Sequence, residues 1–403
     1  MTAMTIDELD HEQLAALVEE HLLAGHLIDR AGMPVVTAHG IAMMRDVAID
    51  EWMGASPVYT ERTQRLLGFE GDTVEACFKA MQFDIGAPPG FMDFRYEVID
   101  DHHGRFHLDH CGALMDVEPM GDDFVVAMCH HIEDPTFDAT AWATNPRMRM
   151  RPVHRPPRTP ADRHPHCAWT VTIDESHEPT PEPTPLARIA ATRAAGLPLP
   201  SIESVGRQPD GRVDYAGPLD PDLRMRDFAT QVLRSIDEEI CLQGHLLSTS
   251  FIAAVEDRLG TEVAVDAGAR QFTGVAGVAA HRLVRAFELG PSADDLATVF
   301  RLHPAFRPAT YVDWRVEVAG EVVRLALGDC PAIEEQGLET WMRLLADGHD
   351  RALTAIAHEV DPCWHVRADG PRRWVVEHGD PQDELAEVTL TKFSTGTAFG
   401  FDR

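Results

Sequence analysis

The chain of 403 residues repeats part of its own sequence, and this repeat constrains the fold more than any other feature. Residues 90–114 align with residues 309–333. Both segments contain an Asp-aromatic-Arg triplet and end close to a cysteine, which is Cys111 in the first copy and Cys330 in the second. Repetition over this length predicts two related structural units within one chain.

The two units are predicted to be separated by a proline-rich segment. This segment contains the sequence Pro-Glu-Pro-Thr-Pro, which is typical of a semi-rigid linker. We therefore predict an N-terminal unit over residues 1–178, a linker over 179–214 and a degenerate C-terminal repeat over 215–403.

Hydrophobic spacing predicts that each unit begins with helices and continues as a sheet. Three segments of the first unit have helical spacing of apolar residues, at 11–33, 40–68 and 72–82. Alternating strand patterns then follow at 94–100, 105–111, 147–153 and 166–174, with a hairpin turn between the first two. The segment 122–134 between the second and third strands has the spacing of a helix. In the helix we expect Asp122 to act as the N-cap and Pro135 to end it. The fold class is therefore α+β, with two duplicated units of N-terminal helices followed by a ββαββ-like antiparallel sheet.

The second copy acts as an internal control for the first, because positions that differ between duplicated units separate scaffold from site. Residues 102–166 hold nine of the 21 histidines of the chain. The second copy has Ala326 and Asp329 opposite His107 and His110. We therefore expect the N-terminal unit to carry the chemistry.

A metal site is one interpretation of this cluster. Strand alternation over 105–111 predicts that His107, Asp109 and Cys111 share one face, while His110 points inward with the apolar residues. Imidazole and thiolate ligands from a strand and the next helix suit zinc or iron. The predicted ligands are His107, His110, Cys111, Cys129, His130 and His131. The carboxylates predicted to move protons beside this metal are Glu118, Glu133 and Asp134.

Three other interpretations remain open. Cys111 could be a nucleophile activated by a nearby imidazole without any metal, although the retention of Cys330 without the histidines favours a buried structural cysteine. The protein could instead bind a metal or a small ligand without catalysis. The histidines could also lie on solvated surfaces, with the cysteines in the core.

An arginine-rich strand is the predicted site for an anionic group. Alternation over 147–151 places Arg147, Arg149 and Arg151 on one face, where they could hold a carboxylate or phosphate of a small substrate. Pairing of these arginines with the acidic residues of the chain is the alternative.

The overall charge excludes several classes of function. Sixty-six acidic residues face 35 basic ones, for a formal net charge of −31. Such a chain repels nucleic-acid phosphates and anionic lipids, so we expect neither nucleic acid nor membrane as a partner. The acidic N-terminus lacks the pattern of a signal peptide, which predicts a cytoplasmic protein. No nucleotide-binding motif is present, and the oligomeric state is left open.

The arrangement DHCGAL…EPMGDDFVVAMCHHIED, with DCPAI…EEQG in the second copy, resembles L-2-amino-thiazoline-4-carboxylic acid hydrolase-like proteins, and the chain is also similar to uncharacterised actinobacterial proteins. Cys111, Glu118 and Cys129 match the hydrolase pattern, whereas the His-His-Ile-Glu-Asp ending and the duplication depart from it. The resemblance implies cleavage of a C–N or C–S bond in a small carboxylate. The sequence therefore predicts a metal-dependent hydrolase for a small anionic substrate, with its site in the N-terminal unit.

Overall fold

The duplicated architecture is present in the computed structural model, which describes residues 3–202 and 210–393. Each half contains N-terminal helices followed by a four-stranded antiparallel sheet. The prediction of an α+β fold with two such units is confirmed.

Long helices open each unit, and shorter ones follow. The α-helices are α1 (His11–Thr37), α2 (Ile41–Leu67), α3 (Val74–Met81), α4 (Gly112–Val117), α5 (Asp122–Val126), α6 (Glu133–Thr144), α7 (Leu186–Ala190), α8 (Thr230–Leu259), α9 (Thr261–Ala286), α10 (Ala293–Leu302), α11 (Trp341–Ala346), α12 (Arg351–Val360) and α13 (Ala386–Phe393). A π-helical turn, Ala127–Ile132, joins α5 to α6.

The two sheets have the same topology. The strands of the first are β1 (Met92–Asp100), β2 (His103–Cys111), β3 (Met148–His154) and β4 (Cys167–Ile173), and those of the second are β5 (Trp314–Ala319), β6 (Val322–Leu327), β7 (Trp364–Ala368) and β8 (Arg373–His378). Their spatial orders, β1-β2-β4-β3 and β5-β6-β8-β7, correspond strand for strand. The repeat in the sequence is thus a repeat of the sheet.

The long helices extend the repeat beyond the segment that the sequence aligned. Helix α1 contains Gly25-His26-Leu27, and α8 contains Gly244-His245-Leu246 at the same distance from its start. Helix α1 packs on α8 and α9, and α2 packs on α8, so that apolar residues of both units form a common core. The two units therefore meet through their helices.

The helix predicted over 122–134 is longer than expected. Gly121 precedes it in place of the predicted Asp122 cap, and Pro135 lies in the first turn of α6 and does not end it. Proline lacks the N–H of an α-helical i→i−4 bond, and the π-helical turn just before Pro135 interrupts that bonding pattern. The π-helical turn between α5 and α6 is of a kind that is frequent at functional sites.

Strand β2 departs from simple alternation at its end. Its pairing with β1 shifts register between Phe94↔Leu108 and Met92↔Cys111, which places an extra residue on β2. Cys111 is therefore buried, whereas Asp109 is exposed. The sequence predicted one face that contains His107, Asp109 and Cys111. The bulge separates Cys111 from the other two, because an extra residue moves the following side chain to the other side of the strand.

Part of the predicted linker packs against the helices. Leu186 and Ile189 of α7 are buried, and α7 contacts α2 and α8. Residues 203–209 of the linker lie outside the described residues. No helix in the described part of the chain has the length and apolar character needed to cross a membrane.

Candidate functional site

A cavity of about 140 Å³ lies in the N-terminal unit, between α1, α2, the first sheet and α6. Its polar wall includes His26, Asp29 and Arg30 from α1 and Glu133 from α6, while Trp52 and several apolar side chains form the remainder. Cavities of about 150 Å³ accept a molecule of the size of benzene. The cavity therefore has room for a small molecule.

Two carboxyl groups meet at the wall of this cavity. Asp29 lines it, and Glu51 of α2 lies behind Asp29 with no exposed surface. Burial, followed by the charge of the neighbouring Asp29, raises the pKa of Glu51 well above its ordinary value, and neither Glu51 oxygen has a hydrogen-bond partner among the described residues. Two carboxylates cannot share such a place while both are ionised, so the pair holds a proton.

Burial and the neighbouring groups shift the pKa of Asp29 in opposite directions. Burial raises its pKa, whereas Arg30, an indole N–H from Trp52 and the contact with Glu51 lower it. His26 is also buried, and burial together with the charge of Arg30 lowers its pKa to about 3. The imidazole is therefore neutral at physiological pH.

Arg30 is the one basic side chain among the described residues that line the cavity. One Nη atom pairs with Asp116 at 3.0 Å. Its Nε is buried and makes no hydrogen bond to the residues that the structure describes. A guanidinium at a cavity wall suits a carboxylate or another anion.

Two further acids face the cavity with raised pKa values. Burial raises the pKa of Glu133 to about 8, so that this carboxyl is protonated at neutral pH. Burial also raises the pKa of Asp84 to about 6. Asp84 accepts hydrogen bonds from the Tyr59 hydroxyl at 2.9 Å and from the Gly86 N–H at 2.7 Å. Groups with raised pKa values in one cavity are suited to proton transfer.

The C-terminal unit keeps the frame of this site and loses its charges. His26 packs on Phe91 with ring centroids 4.8 Å apart, and the corresponding pair, His245 and Tyr311, lies at 5.0 Å. When α1 is aligned with α8 and α2 with α9, neutral residues stand opposite the three charged ones: Ser248 opposite Asp29, Thr249 opposite Arg30 and Gln271 opposite Glu51. Phe272 stands opposite Trp52 and lacks the indole N–H. Of the pairs compared here, the carboxyl groups of Asp29 and Glu51 and the guanidinium of Arg30 occur in the N-terminal copy alone.

Some of the residues predicted from the sequence contribute to this cavity. Cys111 and Glu133 line it, together with Cys167. Cys129 is buried close by, with its thiol near Glu133 and Cys111. Burial raises the pKa of Cys111 to about 12, so that this side chain is a thiol at neutral pH.

The predicted histidine ligands lie apart from one another. The His107 side chain is exposed on β2, where Nε2 is 3.4 Å from Asp109. The His110 ring lies 5.5 Å from that of His166. His130 bonds to the Pro156 carbonyl through Nε2 at 2.6 Å, and His131 is exposed. Their role as metal ligands remains a prediction.

The other predicted residues make ion pairs or bond to the backbone. Glu118 accepts two hydrogen bonds of 2.8 Å from Arg158, and Asp134 pairs with Arg155 at 2.5 Å. The predicted anion-binding arginines do not line the cavity among the residues that the structure describes. Arg147 and Arg149 donate to backbone carbonyl oxygens, and Arg151 donates to Asp138.

A possible metal site lies elsewhere in the described residues. His21, Asp237 and Cys241 are all buried and bring three possible ligand atoms within 4.8 Å of one another. Within residues 3–202 and 210–393, no group of this kind forms from the predicted ligands. The expectation that the protein can hold a metal thus has support at different residues.

The sequence contained a signal for the residues that were missed. His26, Asp29 and Glu51 lie in segments that were predicted only to be helical. Comparing α1 and α2 with α8 and α9 would have shown buried carboxylates in one copy opposite serine and glutamine in the other. The helices had to be aligned in space before these positions could be paired.

Comparisons with protein-family models, with curated protein sequences and with solved structures find no match for this chain. Function is therefore argued from the geometry of the cavity.

The raised pKa of Glu133 predicts a dependence of stability on pH. The unfolded chain releases this proton near pH 4.3, whereas the folded protein keeps it up to about pH 8. Folding stability contributed by this group therefore falls as pH rises between these values. We expect the free energy of unfolding of Glu133→Gln to increase relative to wild type by more than about 1 kcal/mol between pH 5 and pH 8, measured by urea denaturation.

Glu97→Gln is the control for this measurement. Glu97 is exposed and its hydrogen bond from Arg105 lowers its pKa, so its replacement should leave the trend between pH 5 and pH 8 unchanged. Parallel curves for Glu133→Gln and wild type would show that Glu133 is ionised in the folded protein at neutral pH.

Proposed function

We propose that the protein is a hydrolase that cleaves a C–N or C–S bond of a small anionic molecule bound in the N-terminal cavity. The observation that carries this proposal is the placement of Asp29 in the cavity lining, with the fully buried Glu51 as its neighbour. A buried, proton-sharing carboxyl pair is costly for folding, and the C-terminal unit has the same frame without it. Such a pair is suited to general acid–base catalysis.

Each acidic group has a distinct role in this mechanism. Asp29 lines the cavity and takes a proton from a water molecule, whose oxygen attacks the carbon of the scissile bond. Glu51 is a positioning residue, because it does not line the cavity and acts by holding the shared proton against Asp29. Glu133, protonated at neutral pH, donates its proton to the leaving nitrogen or sulfur. Asp29 gains one proton and Glu133 loses one. The enzyme returns to its starting state when Asp29 releases its proton to solvent and Glu133 takes one up.

Arg30 defines the class of substrate. It lines the cavity and is the one guanidinium in the lining that the structure describes, so its positive charge attracts a carboxylate of the substrate. This supports the small anionic substrate predicted from the sequence, with Arg30 in the role that was assigned to Arg147, Arg149 and Arg151.

The two alternative chemistries have weaker support in this cavity. A nucleophilic Cys111 would need to be a thiolate, and burial favours the thiol. Zinc or iron, predicted as the cofactor, could be held by His21, Asp237 and Cys241, but Asp237 and Cys241 lie on α8, outside the cavity lining of the described residues. Proton transfer by the carboxyl pair does not require a metal.

The test is hydrolysis of small carboxylates by the purified protein. The probe set contains 2-amino-thiazoline-4-carboxylate, as the resemblance implies, and acyclic carboxylates with one C–N or C–S bond. Each is paired with its methyl ester as a neutral control. We expect turnover of at least one carboxylate, with kcat/KM lower by about tenfold or more for the ester, because the neutral ester loses the charge attraction to Arg30.

Two outcomes would contradict this proposal. Binding of the carboxylates without turnover, detected as a rise in melting temperature, would identify a non-catalytic binding protein. Turnover that is lost after dialysis against a chelator while circular dichroism shows an unchanged fold, and that zinc or iron restores, would place a metal in the chemistry.

A further inference from the structure

Three buried side chains meet where α1 of the N-terminal unit packs on α8 of the C-terminal unit. His21 comes from α1, and Asp237 and Cys241 lie one helical turn apart on α8. His21 Nδ1 is 2.7 Å from Asp237 Oδ1 and 3.3 Å from Cys241 Sγ. These residues are separate from the catalytic proposal, which uses other side chains of α1.

The hydrogen bonds around His21 show that a cation belongs at this point. Its Nε2 lies 2.9 Å from the carbonyl oxygen of Leu302, which can only accept, so Nε2 carries a hydrogen. In the neutral imidazole, Nδ1 then has a lone pair directed at Asp237 Oδ1. Two acceptors at 2.7 Å require a cation between them, which is either a proton or a metal ion.

We propose that His21, Asp237 and Cys241 bind a zinc ion that ties the two units together. Imidazole, carboxylate and thiolate are the ligands that zinc prefers. The Nε2–H bond to a backbone carbonyl is the usual support for a zinc-bound histidine. Arg307 holds the other Asp237 oxygen at 2.8 Å and orients it.

The distances require a small adjustment for the ion. Tetrahedral zinc separates nitrogen from oxygen by about 3.4 Å and nitrogen from sulfur by about 3.6 Å. The thiol is already near this position, and His21 and Asp237 need to separate by about 0.7 Å, a change within the reach of side-chain rotation.

A small cavity beside the triad can supply the fourth ligand. His21 and Cys241 line a small pocket of about 20 Å³, with His245 and His303 in its wall. This volume holds about one water molecule, which needs at least 10–15 Å³. It has no room for a substrate, so we assign the zinc a structural role.

The repeat shows that packing does not require the triad. The positions in the N-terminal unit that align with Asp237 and Cys241 are Val18 and Leu22, and His21 aligns with Ile240. All three of these counterparts are buried and apolar. The polar triad therefore stands where the same frame is otherwise filled by apolar side chains.

The experiment measures zinc in the full-length protein by elemental analysis after dialysis in zinc-containing and then zinc-free buffer. We expect about one zinc per chain in wild type and in Cys77→Ser, which alters a buried cysteine on α3. The variants Cys241→Ser and His21→Gln should retain less than about one tenth as much. With Co²⁺ in place of zinc, wild type should show a thiolate-to-metal charge-transfer band that Cys241→Ser lacks.

Metal-free wild type with a melting temperature unaffected by a chelator would overturn the proposal and identify the cation as the His21 proton. Zinc that persists in Cys241→Ser and His21→Gln would also overturn it and place the metal elsewhere. The readouts are metal content and absorption, so they are independent of any hydrolase activity.

Discussion

Asp29→Asn is expected to lower kcat for the best small carboxylate by a factor of about 10²–10⁴, the usual contribution of a general base. Asparagine keeps the volume of the side chain and can still accept the indole N–H of Trp52, but it cannot take a proton from water. The measurement is steady-state hydrolysis at pH 7, with circular dichroism to verify the fold. KM should change much less than kcat, because the loss occurs in the transition state.

The repeat supplies a matched control for this substitution. Ser248→Ala changes the equivalent residue of α8, which donates to the His245 carbonyl at 3.1 Å, and should leave kcat unchanged. Equal effects of Asp29→Asn and Ser248→Ala would mean that the loss reflects packing of the helices. Full activity of Asp29→Asn would remove the carboxyl pair from the mechanism.

Arg62→Met is expected to lower the free energy of unfolding by about 3–5 kcal/mol, which is the usual cost of leaving one buried charge unpaired. Arg62 of α2 and Glu239 of α8 are both buried, and two hydrogen bonds of 2.8 Å and 2.6 Å join them across the two units. Arg62 also donates to the carbonyls of Ala195 and Leu197. Urea denaturation measures the loss, and we expect one transition because the units share a core.

The double variant Arg62→Met/Glu239→Met tests the cause. Removing both charges should recover much of the stability that Arg62→Met loses, since no unpaired charge remains. Arg105→Met, at an exposed pair with Glu97, should leave the free energy of unfolding nearly unchanged. A loss of less than about 1 kcal/mol for Arg62→Met would indicate that water reaches Glu239.

Local patterns were sufficient to predict the secondary structure of the sheet and most of the helices. Strand alternation and the repeat predicted both sheets, because neighbouring residues on a strand face opposite sides whatever the fold around them. Pro135 misled the prediction of a helix end, because it lies just after a π-helical turn and the helix continues through it to Thr144. The bulge near Cys111 was not visible, because a register shift depends on the partner strand.

The candidate site was predicted only in part. The comparison of copies pointed to the N-terminal unit and included Glu133 and Cys111, both of which line the cavity. It also favoured His107 and His131 as metal ligands, and the side chains of both are exposed in the structure. Their function as ligands is untested.

The sequence by itself determined that the protein is a duplicated α+β chain with an acidic surface, because periodicity, repetition and charge are properties of residues near one another along the chain. Only the tertiary structure decided which polar residues meet. Asp29 and Glu51 come from separate helices, and His21 meets Asp237 across 216 positions of sequence. Such contacts depend on how α1, α2 and α8 pack, and burial then changes the pKa of each group that they enclose.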